Sequence, residues 1–155
     1  MNLGEIAGEI CKLVLPIPEE TYAGNPESNI AICTLSSIDL LKQISSSGVM
    51  EKIAISGRLL SENRGIDSLV RYVNKNPNLS TIIVCGKEVL GHKTGHSLFC
   101  LHQFGTDQNN RIINSVSPDP VLSVSKKEIK QFQDQIQLVN KIGETNLQKI
   151  TWLVQ

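Results

Sequence analysis

Apolar positions along the chain fall into short runs separated by amphipathic stretches. Four runs rich in β-branched residues stand out: Asn29–Leu35 (NIAICTL), Lys52–Ser56 (KIAIS), Leu79–Cys85 (LSTIIVC) and Arg111–Val116 (RIINSV). They are nearly continuous rather than alternating, the pattern of strands buried on both faces of a parallel sheet. Between them the period changes. Ile66, Leu69, Val70 and Val73 stand at i, i+3, i+4 and i+7, one stripe of a helix that Asn76-Pro77-Asn78 stops. Leu98 and Leu101 give a shorter stripe before Gly105. Ile129, Phe132, Ile136 and Val139 give a third, predicted to end before Gly143. Ser45-Ser46-Ser47-Gly48 reads as a helix end and turn. The first 25 or so residues, with Pro16, Pro18 and Pro26 in or beside them, read as an extended lead-in. Strands alternating with helices of this length predict βαβ units and an open α/β sheet, mostly parallel, with helices on its faces.

With 155 residues and no interdomain linker or repeat in view, residues 1–155 are expected to form one domain. Apolar residues make up 40% and charged residues 19%, a globular balance. Lys plus Arg equals Asp plus Glu at 15 each, and the only basic cluster is Lys126-Lys127 with Lys130. A nucleic-acid partner, which needs a basic surplus or stripe, is therefore not expected. No apolar run approaches the ~20 residues of a membrane span. Glu5 and Glu9 precede any Lys, which is the wrong sign for a secretory signal. Cys11, Cys33, Cys85 and Cys100 show no C-x-x-C spacing. Free thiols and a cytoplasmic location follow as expectations.

The chemistry concentrates in Cys85-Gly86-Lys87-Glu88-Val89-Leu90-Gly91-His92-Lys93-Thr94-Gly95-His96. This stretch leaves the strongest strand and enters a helix, where open α/β sheets bind ligands. Its glycines let the backbone turn sharply and approach a ligand closely. A plain strand-to-helix loop is the unremarkable alternative, and three specific readings compete with it. Gly86 and Gly91 have the gap of a phosphate loop, but inserted His92 puts Lys93 one place out of register. His92, His96 and His102 have the ligand spacing of one zinc-protease class. There, however, Lys93 stands where the general-base Glu belongs, and Phe99 replaces the turning glycine. His92-Lys93-Thr94-Gly95 has the H-x-x-G of the common corrinoid fingerprint, in which a neutral imidazole donates to cobalt. It lacks the Asp two places earlier, where Leu90 stands, and no Gly-Gly pair occurs.

Beyond this loop, several segments in fixed order resemble the family of the A-subunit of tetrahydromethanopterin S-methyltransferase. They are Tyr22–Ser28, Ala31–Leu35, Ser61–Ile66, Asn76-Pro77-Asn78, Cys85–Val89 with Gly91-His92 and Thr94-Gly95, and a tail from Ser125 to Ile150 that includes Ile142–Thr145. The resemblance implies a Rossmann-like α/β domain carrying cobalamin or a related cobamide, with His92 as the lower axial ligand of cobalt. It implies a carrier inactive without its partners. A partner methyltransferase using a tetrahydropterin, or another methyl donor, loads a methyl group onto cobalt. The group then passes to a tetrahydropterin or thiol acceptor. The family's membrane-bound form ends in a transmembrane helix, and this chain stops at Gln155 without one, so a soluble homologue is expected. His96 stands where the family is expected to hold Gln, which places a second imidazole near the first.

These implications extend to the surroundings of the loop. Thr34, Leu35 and Ser36 close the first strand, and Glu62, Asn63 and Gly65 follow the second. Both groups are expected at the same sheet edge as Gly86, Glu88, Val89, Gly91, His92, Lys93, Thr94, Gly95 and His96, lining one cleft and contacting the cofactor. Glu62-Asn63 has a plainer alternative role as a cap on the Ile66 helix. With no Asp before His92, its second ring nitrogen is expected to meet a backbone carbonyl or water. The alternative function is a domain of this fold that binds a nucleotide or zinc without a corrinoid.

Overall fold

The computed structural model of the chain describes residues 20–155. Five strands form one sheet: β1 (Thr21–Ala23), β2 (Ile30–Cys33), β3 (Ile55–Gly57), β4 (Thr81–Val84) and β5 (Gln137–Asn140). Their order is β1-β3-β2-β4-β5. The pairs β3–β2, β2–β4 and β4–β5 are parallel, and β1 runs antiparallel along the edge of β3. The helices are α1 (Ile38–Ser45), α2 (Arg64–Lys75), α3 (Thr94–Phe104), α4 (Lys126–Gln135) and α5 (Leu147–Leu153). This is the open, mostly parallel α/β sheet that the apolar runs predict.

The continuous apolar runs have a physical reason. Ala31, Cys33, Ile82 and Val84 face one core with Ile66, Val70 and Val73 of α2, Leu98 and Leu101 of α3, and Ile129 and Phe132 of α4. The intervening Ile32, Ile83 and Cys85 face a second core with Leu40 and Ile44 of α1 and Ile150 of α5. Both sheet faces are covered, so neither alternate position of the central strands can be polar. Cys33, Cys85 and Cys100 are buried.

Three expectations about elements need correction. Arg111–Val116 is no strand. It makes only isolated bridges (Thr106 with Ile112, Arg111 with Val121), because Asn110 and Asn114 take left-handed φ of 60° and 66° and break any ladder. Ile112 alone enters the core, while Ile113 and Val116 are exposed. The third helical stripe ends at Gln135. Ile136 turns extended (φ −106°, ψ 133°), and Gln137–Asn140 pairs with β4 as the strand that closes this side of the sheet. The KIAIS run is displaced, since Ile53 and Ala54 accept hydrogen bonds from Asn25 and Gly24 and the strand itself is Ile55–Gly57. The extended lead-in lies outside the described residues up to position 19, and Thr21–Ala23 within its remainder is β1.

The strand order sets where the loops of the sheet diverge. From β2 the chain moves outward to β3, then crosses back over β2 to β4. Successive connections therefore leave β2 and β4 in opposite directions, and the loops at their carboxyl ends part at that point. These are residues 34–37 and 85–93. No helix among the described residues is long and apolar enough to cross a membrane.

Candidate functional site

The loops after β2, β3, β4 and β5 meet at the carboxyl edge, held by their backbones. Thr34 N donates to Gly57 O and Cys85 N to Cys33 O, at 2.9 and 2.8 Å, and Ser36 N donates to Lys87 O at 3.1 Å. Gly86 is the point of closest approach. Its φ is +74°, and a Cβ there would lie 2.2 Å from the carbonyl oxygen of Thr34. Gly86 N donates to Glu144 O, and Gly143 N donates to Gly86 O, both at 2.7 Å. The β2 and β4 loops thus pack onto each other rather than opening a deep crevice, and the β4 loop carries its side chains beyond them.

That loop then turns twice. His92 N and Lys93 N both donate to Val89 O, at 3.2 and 3.0 Å, closing a turn with Leu90 and Gly91 at its corners. Gly91 has φ +79°, the conformation a type II turn requires at this corner, and space around it is open. Lys93 takes a left-handed φ of 50° and offers α3 no side-chain cap. Glu88 caps the helix instead. Its Oε1 accepts from Gly95 N and its Oε2 from His96 N, each at 2.9 Å. The anion position at this helix N-terminus is therefore filled by the protein's own carboxylate, which opposes the phosphate-loop reading. Gly95 is small for packing reasons, because an added Cβ would lie 2.9 Å from Glu88 Oε2 and from Ile142 Cδ1.

The three histidines part company. His102 Nε2 lies 2.6 Å from Ile136 O, and its ring packs edge-on to Phe132. His96 Nε2 accepts from Val116 N at 3.2 Å, and Cys100 Sγ lies 3.7 Å from the same nitrogen. His92 Nδ1 lies 2.9 Å from Glu62 Oε2. The zinc spacing therefore converges on nothing, and no group of three metal-ligating side chains occurs among the described residues.

The His92–Glu62 pair joins a half-exposed base to a buried acid, with side-chain exposures of 51% and 2%. Burial pushes the Glu62 carboxyl upward. Hydrogen bonds from its own backbone and from Asp119 N, together with the bond and charge of His92, outweigh this and hold it below its ordinary value. An ionised carboxylate can only accept, so His92 Nδ1 carries the proton. In the neutral ring the lone pair then sits on Nε2, which has no hydrogen-bond partner among the described residues. The expectation of a backbone carbonyl or water at the second nitrogen is corrected: the partner is a carboxylate thirty positions earlier in the chain.

Glu62 is itself held by a strap that no motif announces. Asp119 N donates to Glu62 Oε1 at 3.0 Å. Ser117 Oγ donates to Lys93 O at 3.2 Å and lies 2.6 Å from Ser97 Oγ, which lies 2.6 Å from Ser115 Oγ. Asn63 caps α2 through Arg64 N at 2.7 Å and donates to Asp119 O at 3.1 Å.

The remaining expected site residues divide by exposure. Thr34, Leu35, Thr94 and Gly95 are buried. Thr94 Oγ1 has no hydrogen-bond partner among the described residues. Ser36 Oγ donates to Lys87 O at 2.8 Å, and Val89 packs on the core. Gly65 N donates to Ser61 Oγ, and Gly65 lines an apolar cavity of about 280 Å³ shared with Leu59, Leu69 and Tyr72. Gly91, His92 and Lys93 are exposed at the loop tip.

The family model for the A-subunit of tetrahydromethanopterin S-methyltransferase matches residues 15–155. The A-subunit of a putative methyltransferase Mtx from Methanosarcina barkeri is 38% identical over 142 residues, 90% of this chain and 68% of that one. The tetrahydromethanopterin S-methyltransferase of Methanothermobacter thermautotrophicus has two numbered A-subunits. Number 2 is 34% identical over 149 residues, 90% of this chain and 79% of the relative. Number 1 is 38% identical over 130 residues, but the match spans only 52% of its length. With nearly the whole chain matched, the protein belongs to the family of tetrahydromethanopterin S-methyltransferase A-subunits.

Proposed function

We propose that this chain is a corrinoid carrier in a methyl-transfer system, with His92 as the axial ligand to the cobalt of a bound cobamide. The observation that carries the reading is the His92–Glu62 pair. A metal-ligating imidazole needs one nitrogen protonated and tied down and the other bare and accessible, and carboxylate–histidine pairs meet both needs. Here Nδ1 is tied to Glu62 at 2.9 Å, and Nε2, on a half-exposed ring, has no partner among the described residues. The donor is borderline-soft nitrogen on a loop tip, which fits a transition metal already held by its own macrocycle.

When bound, the cobalt supplies the position that takes and gives up the methyl group. The chain supplies orientation and a held proton. Glu62 fixes the ring and keeps the proton at Nδ1, and Asp119 N fixes Glu62. Glu88 anchors the loop to α3, so that His92 stands on a braced turn. With a cobamide bound, His92 would hold its metal through Nε2, and the braced ring could do so without refolding the loop. By this reading a partner methyltransferase using a tetrahydropterin, or another donor, loads the methyl group, and a tetrahydropterin or thiol receives it. The names of the relatives support methyl transfer as the setting.

The test is reconstitution of the full chain with cobalamin, followed by gel filtration. Co-elution of visible absorbance with the protein is the expected result. A protein fraction free of absorbance at micromolar cobalamin contradicts the reading.

A further inference from the structure

Leu90 is 97% exposed, beside a buried framework. It occupies the first corner of the Val89–His92 turn, a position where turns of this class favour Pro. Val89 before it packs on the core, so the loop does not lack anchorage. Leu90 also stands where the common corrinoid fingerprint places its carboxylate. In this chain the carboxylate comes from Glu62, which leaves position 90 free of any bond to the ring. Two residues on, past a glycine with open space around it, is the half-exposed imidazole whose Nε2 has no partner among the described residues. An apolar side chain fully in water costs free energy that a covering apolar surface recovers.

We infer that Leu90 is a cofactor-positioning residue, packing its side chain against the apolar edge of the macrocycle whose metal His92 ligates. This rests on the reading of His92 as the cobalt ligand and adds a separate contact to it. Leu90 and His92 are the chain neighbours of Gly91, where an added Cβ would meet nothing within 4 Å, so a flat ring held by His92 would come within reach of the Leu90 side chain. Leu90 makes no contact that the fold needs, so its replacement reports on binding alone.

The experiment titrates the full chain with cobalamin, following visible absorbance and, for the Co(II) form, electron paramagnetic resonance. Leu90→Ser is expected to keep the wild-type melting temperature and the axial-nitrogen splitting while raising the dissociation constant roughly 3- to 10-fold. Leu90→Met is expected to bind like wild type. Trp152→Ser, which removes another exposed apolar side chain on α5, is expected to leave binding unchanged. If wild type binds with the nitrogen splitting and Leu90→Ser binds equally well, the inference is overturned and the ligand assignment stands. Equal weakening by Trp152→Ser overturns it too. If wild type binds no cobalamin, both fall.

Discussion

Glu62 Oε2 and His92 Nδ1 lie 2.9 Å apart, the acid 2% exposed and the base 51% exposed. Glu62 ends the loop after β3, and His92 stands on the loop after β4. Parallel strands bring the two loops to one edge. The pair's value is directional. Because the carboxylate is kept ionised, it selects which imidazole nitrogen carries the proton and which is left to bind.

Replacing Glu62 by Gln tests that direction. A glutamine carbonyl can still accept from Asp119 N, but its amide presents N–H groups to the ring. His92 Nδ1 must then accept, and Nε2 becomes protonated in the neutral ring. Glu62→Gln is expected to cost about 1–3 kcal/mol in urea denaturation, as a buried bond is mismatched. It should also weaken the axial-nitrogen splitting of bound Co(II) cobalamin. Glu62→Asp, which keeps the charge, should restore part of that splitting. A merely structural Glu62 would change stability alone.

The same carboxylate gives a pH dependence of known sign. Its folded pKa is depressed from an ordinary 4.5. Its contribution to stability is therefore fully present above pH 4.5 and is lost as pH falls through the lower folded value. The stability difference between wild type and Glu62→Gln should shrink as the pH falls below 4.5. Denaturation series at stepped pH check this; a difference that grows on acidification contradicts it.

How much of this was legible in the chain depends on distance along it. The β2 and β4 runs and the α2 stripe are local patterns, and they form where the pattern places them. The candidate-site loop is also local, since Gly91-His92 and the following helix are contiguous. The partnership of Glu62 with His92 is not local, because no spacing rule links positions that only strand order brings together. Arg111–Val116 misleads because β-branched content marks a strand only if the backbone can continue. Left-handed Asn110 and Asn114 break it, and the segment leads into the strap that holds Glu62. The Ile129–Val139 stripe misleads because Ile136 and Val139 satisfy a helical period and a strand core equally well.

Two glycines of the loop should respond differently to alanine. At Gly86 the new Cβ would meet backbone at 2.2 Å, so Gly86→Ala forces the β2 and β4 loops apart. A loss of more than about 3 kcal/mol or failure to accumulate folded protein is expected. At Gly91 nothing lies within 4 Å, and only the left-handed φ of +79° opposes the change. Gly91→Ala should cost about 1–2 kcal/mol and stay folded. Thermal melts of the two variants side by side decide the ranking.

Glu88 is the cap of α3 by side chain rather than by sequence position. Glu88→Ala removes the acceptor of Gly95 N and His96 N together. The expected cost is about 1–2 kcal/mol. Amide hydrogen exchange should quicken at positions 95 and 96, while β4 stays protected. Unchanged exchange at these two amides would show that the carboxylate is not their partner in solution.

The most direct test of the account is the resonance spectrum of Co(II) cobalamin bound to the full chain. Wild type is predicted to show the splitting of one axial nitrogen, and that splitting changes pattern when the histidines are labelled with nitrogen-15. His92→Ala, a change at an exposed position that leaves the core untouched, is predicted to stay folded and lose the part of the splitting that responds to nitrogen-15 histidine, leaving at most that of the cobamide's own base. His96→Ala is predicted to keep it, because His96 Nε2 is already bound to Val116 N. Splitting that still responds to nitrogen-15 histidine in His92→Ala and loses that response in His96→Ala would contradict the account at its centre.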